Sequence, residues 1–198
     1  MKNQETLDAK ALSLANCQLY PGSYEPAPKQ EQLNEAVKAA SILVKTTIFN
    51  QAEKIRRENW SLDETKEIME RTIPIFRALI ASDKKKEFHR NHGQLGFALK
   101  DQRNPDWAAA EQELTRAIEI RGNWQEGWMI YELARAICRI MQDEGYANRR
   151  ASRPDAKQKN LDDLQIAAQS DLKDLIPNIP EIVSWMNLNR ISMKDLTS

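Results

Sequence analysis

Apolar residues recur three and four positions apart along most of this chain, and no run alternates strictly at period two. Such spacing puts side chains on one face of a helix, so the pattern predicts an all-α protein. Residues 4–19 give a first amphipathic helix. Leu7, Ala11, Leu14 and Ala15 share one face, and Leu12 and Leu19 widen it. Gln18 falls on the same stripe, so the last turn is expected to reach solvent. Residues 20–28 are rich in Pro and Gly and read as a loop. A long helix is predicted over residues 30–58, with the stripe Leu33, Val37, Ala40, Val44, Ile48, Ala52 and Ile55. Ile42 and Phe49 lie off the stripe and predict a second covered face. Ser61 and Glu64 have the spacing of a capping box, opening a helix through Ile68, Met69, Ile75, Phe76, Leu79 and Ile80. Pro74 inside that pattern predicts a kink, because it lacks an N–H and crowds the preceding turn.

The strongest pattern lies between residues 88 and 141. Phe88, His92, Leu95 and Leu99 form one stripe, with Gly96 beside it, where a neighbouring helix would have to approach closely. Asn104 and Pro105 then suit an N-cap and a first helical position. The next helix carries Trp107, Ala110, Leu114, Ala117 and Ile118 inward and ends at Gly122, placed for a left-handed C-cap. A third helix, beginning near Trp124, is apolar on most sides: Trp128, Met129, Ile130, Tyr131, Leu133, Ala134, Ile137, Cys138, Ile140 and Met141. Residues 144–156 are polar, with Gly145, Pro154 and three arginines, and read as a mobile surface loop. Leu161, Leu164, Ala168, Leu172 and Leu175 mark another helix. After a turn at 177–180, Ile182, Val183, Trp185 and Met186 mark a short one that would cap the open end of a stack. The tail at 189–198 is expected to be loose.

These residues carry a resemblance. Leu95-Gly96, then Leu99, then Ala110, Leu114 and Ala117 are similar to the tetratricopeptide repeat pattern of Leu-Gly, an aromatic, and small and large apolar positions on a second helix. Trp128 falls at the first aromatic position of a following unit. The match departs from the family where His92 replaces its first Trp, Gly122 replaces its helix-ending Pro, and Glu132 and Arg135 replace Gly and Tyr in the second unit. The turn between the two helices is also about two residues longer than the family's. In that family the first helix of each unit lines the concave face. Carried across by position, the resemblance implies a binding groove with Arg90, Phe97, Lys100 and Asp101 from one unit and Glu126, Met129 and Leu133 from the next. The same residues would instead be buried if the preceding helices covered them. Glu132, Arg135 and Arg139 interrupt the most apolar helix and read either as structural ion pairs or as a charged spot in that groove, with Arg135 counted among its candidates.

Composition changes this picture little. Twenty-nine Lys and Arg balance twenty-nine Asp and Glu, which argues against a dedicated nucleic-acid binder. Cys17 and Cys138 are far apart and read as reduced thiols of a cytoplasmic protein. No signal-like core or spanning segment is evident. His89 and His92, with Glu87, are too few to complete a transition-metal site, and no cofactor is expected. No nucleophile elbow or phosphate-binding glycine loop occurs. The basic runs Lys84-Lys85-Lys86, Arg56-Arg57 and Arg149-Arg150 read as solvated surface.

The sequence therefore predicts a single all-α domain of about seven or eight helices, a short α-solenoid of stacked antiparallel hairpins similar to tetratricopeptide repeats. It divides into an N-terminal helix and loop (1–28), a helical hairpin (29–83), a repeat-like unit (84–122), a degenerate second unit (123–176) with a loop at 144–157, and a capping helix and tail (177–198). The expected role is a non-enzymatic adaptor for a protein or peptide, with no membrane or nucleic-acid partner. The alternative is an accessory or regulatory subunit of a larger assembly, self-associating through Trp185 or the long helix.

Overall fold

The computed structural model describes residues 2–22, 26–122 and 129–197, and every regular element among them is helical. The chain divides into two compact units, 1–106 and 107–198. The boundary falls between the two helices that the repeat resemblance pairs, and each is described with its own unit.

The first unit contains α1 (Lys2–Leu19), α2 (Gln30–Ala39), α3 (Ile42–Asn59), α4 (Lys66–Glu70), α5 (Thr72–Ser82) and α6 (His89–Asp101). α5 is its centre, packing against α1, α2, α3, α4 and α6. The predicted stripe from Leu33 to Ile55 is buried at every position. The helix that carries it is not continuous. Ala40 and Ser41 are extended, and Ser41 caps a new helix by accepting from the Val44 N–H at 3.4 Å. The break re-aims the chain without shifting which residues face inward. Phe49 is buried off the stripe as expected, but Ile42 is 64% exposed.

Two other expectations are corrected. Ser61 caps nothing; α4 starts after Thr65, whose hydroxyl is turned to the carbonyls of Asn59 and Leu62. The predicted kink at Pro74 is instead a break at Arg71, which leaves Pro74 in the first turn of α5. Pro74 would have clashed with the carbonyl of Glu70, so the helix yields there. Gln18 turns inward rather than to solvent: it is 7% exposed and donates to the Arg71 carbonyl at 3.1 Å.

The second unit contains α7 (Trp107–Arg121), α8 (Ile130–Gln142), α9 (Glu144–Ala147), α10 (Pro154–Ala168), two 3₁₀ turns (Asp171–Asp174 and Ile176–Asn178), α11 (Pro180–Asn189) and α12 (Met193–Thr197). α8 is central, against α7, α10 and α11. α7 begins at Trp107, later than the Asn104-Pro105 reading, and buries Ala110, Leu114 and Ala117. Gly122 has the expected left-handed conformation, φ 65°. The core gathers Leu133, Ala136, Ile140, Leu164, Ala167, Ile176, Ile182 and Trp185.

The segment read as a mobile loop is pinned. Ser152 is 9% exposed; its hydroxyl accepts from Trp185 Nε1 at 2.7 Å and from Asn189 Nδ2 at 3.2 Å, and donates to Asp143. Gly145 sits so close to this strap that a Cβ there would meet the Ala151 carbonyl oxygen at 2.6 Å. The tail is also ordered: α12 packs on α10 and buries Leu196. α10 ends at Ala168, short of the predicted stripe, and Leu175, between the two 3₁₀ turns, is 48% exposed.

Candidate functional site

In the first unit the end of α2, the first turns of α3, the end of α5 and the start of α6 enclose an open cavity of about 650 Å³. That size lies within the usual range of ligand pockets. Its apolar lining is Ile42, Phe49, Leu79 and Phe88. Lys38, Lys45, Lys84, Lys85 and Arg90 surround these, against two carboxylates, Asp83 and Glu87.

The groove is built before anything enters it. Phe49 meets Phe76 edge to face at 6.0 Å, and the Arg90 guanidinium lies over the Phe49 ring at 4.8 Å. Arg90 is held by both oxygens of Glu53, at 3.0 and 2.9 Å, and Glu53 also accepts from Gln94 at 2.8 Å. This fixes the inner wall. The outer wall is the loop between α5 and α6. The Asp83 carboxylate accepts from the Phe88 N–H at 2.9 Å, and Lys86 takes the left-handed conformation, φ 56°. Such a conformation is costly for a residue with a Cβ and persists only where the surroundings enforce it. Phe88 is 51% exposed in the lining, as is Ile42 at 64%.

The rim charge is mostly uncompensated. Among the described residues no carboxylate pairs with Lys38, Lys45 or Lys84, while Lys85 meets Glu87 at 4.0 Å. α6 begins at this rim without a side-chain cap, which adds to the positive potential.

The groove residues implied by the repeat resemblance are placed differently. Arg90 lies on the inner wall just described. Phe97 is 7% exposed, with the Arg56 guanidinium 5.0 Å from its ring centre. Lys100 pairs with its neighbour Asp101, which also faces Arg56 at 4.0 Å. Burial pushes the Arg56 guanidinium down from its ordinary range, against the pull of Asp101 and Glu53. In the second unit Met129 is half-buried, and Leu133 is 2% exposed in the core. Glu126 lies outside the described residues, as do Trp124 and Trp128. Phe97 and Leu133 are thus buried, Leu133 in the core of the second unit. Trp185 is fully buried and offers no face to a second copy.

The charges on α8 meet charges on neighbouring helices. Glu132, 1% exposed, is paired with Arg121. Arg135 grips Asp163 at 2.6 and 2.9 Å and donates to Thr115 at 3.2 Å. Arg139 bridges Glu111 at 2.7 Å and Asp163 at 2.9 Å. Burial pushes the Asp163 carboxyl up, against both arginines; for Arg135 burial is the largest single effect and lowers it, but the Asp163 hydrogen bond and the charges of Asp163, Glu132 and Glu111 together raise it. This network ties α7, α8 and α10 together, and each of these arms is occupied by a protein partner.

No group of three or more His, Cys, Asp or Glu among the described residues is placed to hold a metal ion. Cys17 is half-buried and Cys138 buried. No helix among the described residues is long and apolar enough to cross a membrane.

The residues of the groove carried a weak sequence signal. Ile42 is a large apolar residue outside the α3 stripe, and Lys84 and Lys85 lie shortly before Phe88. What joins them is the packing of α3 and α6 on α5. No family model matches the chain, nor does any curated protein or solved structure.

Proposed function

We propose that the chain is a non-enzymatic protein-binding module that seats a segment of a partner protein in the groove of its first unit. One observation carries the reading: a concave site of about 650 Å³ presents Ile42 and Phe88 largely exposed, from walls already fixed by hydrogen bonds and ring contacts. Large apolar side chains held out to water around a concavity mark a recognition surface. A site fixed beforehand also lowers the ordering cost of binding. The repeat-like pattern from Leu95 to Ala117 supports the same class of function, because such helical scaffolds commonly serve as docking surfaces.

Selection from a random peptide library on the full chain tests this. The expected result is a family of peptides whose affinity falls about tenfold or more in an Ile42→Glu variant, as for loss of an apolar anchor. Failure to enrich any peptide, or enriched peptides that bind the variant equally well, overturns the groove as the site.

A further inference from the structure

We infer that the segment this groove accepts is an acidic amphipathic helix. The inference rests on the proposed binding role and adds the chemistry of the partner. Two observations carry it.

The first is shape. Ile42, Lys45, Thr46, Phe49 and Asn50 line the groove from α3 at intervals of three and four, so they form one continuous helix face. Across the eight positions from Ile42 that face runs about 12 Å, roughly two turns. On that face Ile42 and Phe49 are apolar, two turns apart, with Lys45, Thr46 and Asn50 beside them, and a ridge of side chains of this spacing is one along which another helix can lie. Ile42 and Phe88 are the exposed apolar groups an entering helix would meet, over Phe49 and Leu79, which are buried beneath them.

The second is charge. The apolar floor is bordered by Lys38 and Lys45 at the α2–α3 side and by Lys84 and Lys85 on the loop. Lys38, Lys45 and Lys84 have no carboxylate partner among the described residues. Asp83 is engaged by the Phe88 N–H, and Glu87 by Lys85. A basic helix would face this rim with like charge. An acidic one would supply the missing counter-charges on the flanks of its apolar stripe.

The test uses the full chain and three short synthetic helices that share one leucine stripe spaced three and four apart. Their remaining positions are Glu, Gln or Lys. Binding is read by fluorescence anisotropy at low and high salt. The Glu helix should bind about tenfold more tightly than the Gln helix, as three or four exposed charge pairs allow together. The advantage should shrink at high salt. A Lys84→Glu/Lys85→Glu variant, confirmed helical by circular dichroism, should lose that advantage and gain affinity for the Lys helix. Equal binding of all three helices, abolished by Ile42→Glu, overturns the acidic preference and leaves the groove intact. Binding of none, or binding indifferent to Ile42→Glu, removes the groove reading itself. Two further results also overturn the inference. One is sedimentation with vesicles of anionic lipid, lost in Ile42→Glu, when no helix binds. The other is a dimer in sedimentation velocity that the charge-reversed variant breaks.

Discussion

The carboxylate of Asp8, on α1, accepts from both the backbone N–H and the hydroxyl of Ser41, at 2.7 and 2.8 Å. Ser41 in turn caps α3. One acid on the first helix therefore fixes the point where α2 ends and α3, one wall of the groove, begins. Ser41→Ala removes the cap and the hydroxyl's contact with Asp8, and should cost about 1 kcal/mol of stability in urea unfolding.

The same contact gives a pH dependence. The Ser41 backbone hydrogen bond, with help from Gln4 and the Ser41 hydroxyl, holds the Asp8 carboxyl below its ordinary 3.8. A folded-state value below the unfolded one stabilises the protein above the unfolded value and is lost as pH falls through the folded value. Carboxyl titration by NMR should therefore place Asp8 below 3.8. Acidification below about pH 4 should loosen the α1 contact with Ser41. A titration at or above the ordinary value would contradict the assignment.

These contacts explain what was legible in the sequence. Burial was, because periodicity reports which face turns inward: the stripe from Leu33 to Ile55 is covered throughout. Continuity was not. Ser41 in an apolar pattern reads as an ordinary polar position, and the acid that makes it a cap lies on another helix. The Pro74 signal was real but displaced, since the clash acts on the residue four positions earlier. The polar strap around Ser152 was read as mobile because its partners, Trp185 and Asn189, are distant in the chain. The groove was the least legible feature, for its walls come from separate helices that only α5 brings together.

Ser152 provides the next prediction. Its hydroxyl serves two buried donors and one carboxylate. Ser152→Ala leaves the indole N–H of Trp185 without its acceptor, an unmet buried donor worth about 1–3 kcal/mol. Gly145→Ala should cost about 1–3 kcal/mol by overpacking, because the atom it meets is backbone and cannot rotate away. Hydrogen exchange should show loss of protection over 143–153 in both variants. Unchanged protection would mean that the strap is held by other contacts.

Asp163 faces two arginines, and its removal leaves Arg135 without a paired carboxylate in a covered interface while Arg139 keeps only Glu111. Asp163→Ala should cost about 3–5 kcal/mol, as for breaking a buried ion pair from one side. Asp163→Leu combined with Arg135→Met should recover much of that loss, since Arg139 retains Glu111. Urea unfolding of the single and double variants measures the coupling. Additive losses would show that the pairs act independently.

The groove and the interior of α6 should respond oppositely to the same substitution. Ile42 and Phe88 are exposed, so Ile42→Glu and Phe88→Glu should each leave stability within about 0.5 kcal/mol of wild type. Phe97 is enclosed, with Arg56 on its ring. Phe97→Glu should cost about 3 kcal/mol or more, because it removes a packed aromatic and buries a carboxylate. Arg56 would offset part of that charge, so a Phe97→Ala variant separates packing loss from charge. Thermal unfolding of the four variants gives the comparison. If Phe97→Glu and Phe97→Ala melt with wild type while Ile42→Glu and Phe88→Glu unfold early, the assignment of interior and groove is reversed.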